Sequence, residues 1–216
     1  MPVNRFWDSI GYCISRNFLG NFSDAELEDL PIDADSDASY KDKIELLLRL
    51  LREKAAQEEA AAAPTSLHQL DYVRWNRLWQ AICAIQQELD LPEAEDTLRM
   101  LVDKAEDSNV VPRHMLADYL VKVGKYVEAE ETERPICAWM DAQERLGKAS
   151  PQALNARRII ARALWMQGPS RRAEAEALVA EIKAITENMA NGRFAVYQEE
   201  ERSLTEEMMT ELEKAG

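Results

Sequence analysis

Positive charge is scarce in this chain. Against 40 Asp and Glu stand 26 Lys and Arg, a formal charge of −14 over 216 residues. A surface that grips phosphates needs clustered Lys and Arg, so no nucleic acid is expected as a partner. Anionic membrane surfaces are disfavoured on the same ground. Glycine is also sparse, at 7 residues, and runs of alternating β-branched residues are missing, so sheet is not expected. Three cysteines, Cys13, Cys83 and Cys137, are widely spaced and form no C-x-x-C pair. That excludes a zinc ribbon or a disulfide framework, and each is read as a small buried apolar residue in a reducing compartment. No apolar stretch approaches the roughly 18 residues that read as a membrane span. The first residues lack the basic segment and unbroken apolar run of a secretory signal. A soluble cytoplasmic protein without membrane insertion is the expectation.

What the chain does have is abundant Ala, Glu and Leu, with hydrophobic residues at 46%. That composition favours helix, and all-α is the predicted class. Between Val111 and Ala180 one pattern occurs twice. Leu116-Ala117, Leu120, Gly124 and Glu128-Ala129-Glu130 are matched by Ile160-Ala161, Leu164, Gly168 and Arg172-Ala173-Glu174, every pair 44 positions apart. Each copy reads as a helix, a glycine turn and a second helix. Ala117 and Ala161 on the first helices, with Ala129 and Ala173 on the second, are the small residues that let two backbones cross closely, while Leu116, Leu120, Ile160 and Leu164 fill the flanking ridges. Glycine supplies the left-handed residue that ends the first helix. Such a hairpin cannot bury its apolar face alone, so neighbours must stack on it.

On these residues the chain resembles the tetratricopeptide-repeat family, and most closely its kinesin-light-chain-like subtype with units of about 42 residues. Leu146-Gly147, Pro151, Leu154, Ala161, Gly168 and Ala173-Glu174 with Leu178 carry the resemblance. A weaker copy runs from Tyr72 to Asp107, with Leu91-Pro92-Glu93-Ala94-Glu95 opening its second helix and Ile82 in place of the small alanine. The resemblance implies antiparallel hairpins stacked as a short right-handed solenoid. Residues 1–63 would form extra N-terminal helices with an acidic loop. Repeats would occupy residues 64–192 (about 64–109, 110–149 and 150–192), and residues 193–216 a C-terminal capping helix. The alternative is an irregular helical bundle in which two hairpins are alike by accident.

Elsewhere the signals are local. Phe6, Ile10, Ile14 and Phe18, at a spacing of four, make one apolar stripe. It reads as a helix covering the end of the stack, the alternative being a membrane-surface anchor. Ser23-Asp24-Ala25-Glu26 is a capping box. Asp33, Asp35 and Asp37 have the spacing of the first calcium ligands of an EF-hand, but Ala38 stands where glycine is required and Ile44 where a bidentate glutamate is required. No metal site is expected there. A long helix from Tyr40 turns Ile44, Leu47, Leu48 and Leu51 inward, and a second starts at Ser66. Pro135 falls inside a helical segment, and Val196, Leu204, Met208 and Leu212 share one side of the last helix.

Catalytic signatures are absent: no H-E-x-x-H, G-x-S-x-G, P-loop or Rossmann glycine pattern occurs. His68 and His114 have no local partner at metal spacing. No catalytic residue and no cofactor is expected. Family resemblance instead implies a groove lined by the first helix of each repeat: Asn76, Trp79 and Cys83, then His114, Asp118, Val121 and Lys122, then Asn155, Arg158, Arg162 and Trp165. The carboxylate clamp that some members use on chaperone tails is not matched, since Trp79, Cys83, Met115, Asn155 and Ile159 stand at its positions. Arg158 and Arg162, one turn apart beside Trp165, suit a ligand with carboxylates and a large apolar group; alternatively they pair with neighbouring glutamates. The expected function is a non-catalytic protein–protein interaction scaffold that binds an acidic peptide or partner helix with apolar anchors. Homo-oligomerisation stays open. The alternative is a helical enzyme or small-ligand binder with a pocket near Trp79, His114 and Trp165.

Overall fold

A computed structural model describes residues 5–106 and 108–215. Among these residues the structure is helical throughout and contains no strand. No described helix is long and apolar enough to cross a membrane. The chain divides into two compact units, residues 1–104 and 105–216.

The first unit contains α1 (Arg5–Asp8), α2 (Tyr12–Leu19), α3 (Asp24–Glu28), α4 (Tyr40–Ala62), α5 (Leu67–Leu70), α6 (Tyr72–Glu88) and α7 (Glu93–Lys104). Side-chain caps start most of them. Ser23 and Ser66 each build a reciprocal capping box, with Glu26 and Gln69, while Ser39 and Asp71 accept from the third backbone N–H of α4 and α6. The helix expected to begin at Ser66 is thus two: a one-turn α5, then α6 restarted by Asp71. The N-terminal stripe is also broken in two, and Phe6, Ile10, Ile14 and Phe18 are all buried. They join Leu47, Leu51, Leu78 and Ile82 in a single cluster. An internal partner therefore accounts for the stripe's apolarity. Lys43, itself buried, holds α1 by donating to the Arg5 carbonyl at 2.7 Å. Arg74 ties α6 to buried Asn21 and to Glu58 of α4, which Lys54 links onward to Glu26.

The second unit contains α8 (Val111–Lys122), α9 (Tyr126–Ala142), α10 (Pro151–Met166), α11 (Pro169–Glu187) and α12 (Gln198–Ala215). Successive helices α8 to α11 pack pairwise, and α12 lies against both α10 and α11. Gly124 and Gly168 take positive φ, +81° and +103°, where an L side chain would be strained. Ala117, Ala129 and Ala161 are fully buried. Ala173 is not: it faces solvent, and Ala175 sits in the core instead. Along α11, Ala175, Val179, Ile182 and Thr186 match Ala129, Glu133, Ile136 and Met140 of α9 at a constant 46 positions. The two hairpins therefore agree at 44 positions in their first helices and at 46 in their second. α9 continues through Pro135, whose ring lies on the exposed side.

The buried side of α12 also differs from expectation. Val196, before the helix, is 83% exposed and Leu204 is 38% exposed, whereas Glu201, Thr205, Met208 and Leu212 are buried. The reason lies on α10, where Arg158 needs an acidic partner more than another apolar one. Cys83 and Cys137 are buried as expected, while Cys13 is exposed. Burial pushes both buried thiols up to about 11, which makes them poor nucleophiles.

Candidate functional site

In the first unit α4, α5, α6 and α7 surround a cleft of about 680 Å³. Its floor is apolar: Ala55 and Ala56 from α4, Trp75, Trp79 and Ile82 from α6, and Met100 from α7. Arg52, Glu59, Gln69 and Lys104 stand at its rim. The cleft exists because α5 is a single turn set off from α6 by the Asp71 cap. His68 on α5 bonds through Nε2 to the Lys104 carbonyl, which holds α5 to the C-terminal end of α7. Edge-on contacts of His68 with Tyr72 and Trp75 fix the turn from the other side. Glu59 accepts the Leu67 backbone N–H at 3.1 Å. Arg52 and Lys104 keep about half of their side-chain surface in water while pairing with Glu93 and Asp103. Exposed ion pairs of this kind are weak, so both cations remain available to a competing carboxylate.

In the second unit a polar cluster crosses three helices. His114 of α8 bonds through Nδ1 to Glu133 of α9 at 2.6 Å, and through Nε2 to the side-chain amide of Asn155 of α10 at 3.1 Å. Glu133 is fully buried, and its Oε2 has no partner. Burial opposes charge on the His114 ring, yet the Glu133 hydrogen bond and charge, with Asp118 adding to them, raise its pKa above the ordinary value. Glu133 is pushed up by burial first and by Asp118, while His114 pulls it back in part. The cluster can hold one proton tightly between imidazole and carboxylate. With both imidazole nitrogens engaged, it serves as a polar pin between helices. Among the described residues no group of three or more His, Cys, Asp or Glu is placed to hold a metal ion.

The residues read from the sequence as a groove fall in both units. Asn76, Trp79 and Cys83 belong to α6, and the other eight belong to α8 and α10. Trp79 lines the cleft, and Asn76, half-buried on the same helix, accepts from Gln80. His114 and Asn155 are brought together as described, with Asp118 exposed close by and Lys122 exposed at the end of α8. Arg158 and Trp165 are 4% and 6% exposed, so α10 presents no open trough at these positions. Arg158 donates to Glu201 of α12 at 2.7 Å, and the Trp165 indole N–H donates to the Leu212 carbonyl at 3.1 Å. The Arg172 guanidinium lies 3.6 Å from the Trp165 ring centre, and Arg162 reaches Glu211 at 3.6 Å.

No protein-family model matches the chain, and neither the curated proteins nor the solved structures contain a significant match. Geometry and chemistry therefore carry the functional reading. Two features escaped sequence reasoning. The cleft floor combines α4, α6 and α7, and of it only Trp79 was read as facing a ligand. Glu133 reads as one more surface glutamate in Glu128–Glu133, although its spacing to Ala129, Ile136 and Met140 puts it on the inner side of α9.

Proposed function

We propose that this chain is a tetratricopeptide-like helical-repeat protein working as a non-catalytic interaction scaffold. The matched hairpins α8–α9 and α10–α11 support the architecture, with α6–α7 as a weaker first unit and α12 as the terminal helix. The observation that carries the function is the cleft around Trp79. An indole, a thioether and two alanine methyls form a surface that wet polar groups do not satisfy, and exposed cations stand at its edge. Charges farther away than about 8 Å are largely screened at physiological salt, so the potential felt by a ligand at the rim is set by Arg52 and Lys104 together with Glu59 and the pair partners Glu93 and Asp103.

The partner is a peptide or helix that places one large apolar side chain on Trp79 and Met100 and directs carboxylates to Arg52 and Lys104. The open rim favours such a ligand over a small molecule, whose sites enclose most of the ligand surface. The test is selection of peptides from a displayed random library against the full-length chain. Enriched sequences should carry an apolar residue flanked by Asp or Glu. Trp79→Ala, and separately Arg52→Glu with Lys104→Glu, should weaken them at least tenfold, about 1.4 kcal/mol, with circular dichroism unchanged. Absence of enrichment, or affinity indifferent to both variants, rejects the reading.

A further inference from the structure

The face of α10 bearing Arg158, Arg162 and Trp165 receives one kind of helix, and α12 shows which kind. Glu201, Thr205, Met208 and Leu212 fall at helical spacing on one side of α12 and are all buried. Glu201 meets Arg158 at 2.7 Å, Arg162 reaches Glu211, and the Trp165 indole closes on the Leu212 carbonyl. These contacts ascend together along both helices, so α12 runs in the same direction as α10. The requirement is a carboxylate followed by apolar residues seven and eleven positions later, on a helix of acidic character.

Two features separate this docking from ordinary core packing. At the start of the α12 stripe is an ion pair with both side chains about 95% buried. Desolvation offsets most of the Coulomb gain of such a pair, so it selects register and partner more than it adds affinity. The connection to α12 is the second feature. Arg193 is anchored by hydrogen bonds to the Glu144 and Leu146 carbonyls, and Phe194 packs beside Met189. The following turn, Ala195–Tyr197, leaves Val196 83% and Tyr197 43% exposed. α12 is thus chosen by its charge pattern and retained by its tether, which supplies a local concentration in the millimolar range.

We propose that α12 is exchangeable, the α10 face of one copy accepting the α12 of another to give a reciprocal dimer. A second copy is the occupant whose chemistry matches by construction, with the same Glu, Met and Leu at the same spacing. Every contact broken in one copy is remade in the other, so exchange costs only the opening of the 195–197 turn and the entropy of association. This surface lies in the second unit and is independent of the Trp79 cleft.

Charge reversal tests it in the full-length chain. In Arg158→Glu, and likewise in Glu201→Arg, the pair is like-charged both within a copy and between identical copies. Mixing the two restores opposite charges only across copies. Native mass spectrometry on one isotope-labelled and one unlabelled variant should then find a 1:1 heterodimer that neither forms alone. The doubly reversed chain, with the pair rebuilt both within and between copies, should show the same monomer–dimer distribution as the unmodified chain. Should either single variant fail to accumulate alone, co-expression should recover a soluble 1:1 complex. Fluorescence anisotropy with a labelled peptide of residues 198–215 supplies the second reading. The Arg158→Glu chain should bind the Glu201→Arg peptide at least tenfold tighter than the unmodified one. Monomers alone in the mixture, with the doubly reversed chain folded, overturn the proposal. Peptide binding without a heterodimer overturns the second copy as occupant.

Discussion

Replacing Ala175 with leucine, alongside the same change at Ala173, tests the register of α11. The two alanines are two positions apart, so they lie on opposite sides of the helix. Ala175 is fully buried beside Ala161, Leu164 and Val179, whereas Ala173 is exposed. Three added carbons at Ala175 have no space to enter. Overpacking of this size costs about 1–3 kcal/mol, while alanine and leucine differ little in helix propensity. At Ala173 the change should stay within about 0.5 kcal/mol, as for other surface substitutions. Urea unfolding followed by far-ultraviolet circular dichroism reads the difference. With a slope of roughly 2 kcal/mol per molar urea, Ala175→Leu should lower the midpoint by about 0.5–1.5 M and Ala173→Leu by about 0.25 M at most. Equal costs, or the reverse order, would refute the buried face assigned to α11 and restore the simple 44-residue correspondence.

Two further expectations concern protons. Glu133→Gln removes the charge that holds the His114 proton, so burial then acts on the ring against only the weaker pull of Asp118. Its NMR-titrated pKa should fall from above the ordinary 6.5 to below it. In the unmodified protein the folded-state pKa is the higher one, so the pair's stabilisation is complete below 6.5 and is lost as pH rises through the raised value; the variant should flatten this alkaline loss. Glu26 behaves oppositely. The Lys54 hydrogen bond, then the Ser23 backbone N–H, lower its pKa from 4.5 to about 2. Its contribution is complete above 4.5 and lost as pH falls through about 2, so Glu26→Gln should make urea midpoints less sensitive to acid over that range. Parallel acid profiles for variant and parent would remove Glu26 from the account.

The helices were legible where the signal was local. The capping box at Ser23, the helix start at Ser66 and the glycine turns at 124 and 168 each depend on a few neighbouring residues, and each is found where the sequence put it. The 46-residue spacing of the second helices was not legible. Ala173 and Ala175 are both alanine, both sit near the start of α11, and only the packing of α10 distinguishes them. Asp71 was missed for a related reason. Its side chain caps α6 at the Arg74 N–H, but nothing in its neighbours shows that an apolar segment is two helices instead of one.

The groove residues illustrate how a small angular error exchanges one kind of surface for another. Successive residues on a helix are separated by about 100°, so three or four positions return almost to the same side and one position leaves it. His114 and Arg158 are 44 positions apart, and each meets a polar residue on a later helix of the same unit: Asn155 on α10 for His114, Glu201 on α12 for Arg158. The side assigned to a ligand is thus the side by which these helices meet each other. A buried Arg–Glu pair looks, in sequence, the same as a solvated one, because what separates them is the apolar company of both partners. On α12 that company was present: Met208 and Leu212 continue the spacing of Glu201 and Thr205. Reading polar and apolar residues together along that stripe places Glu201 inside, and an inward glutamate requires a buried cation opposite it. Arg158, one residue before Ile159 and Ile160 in the most apolar part of α10, is the cation that such a search would select.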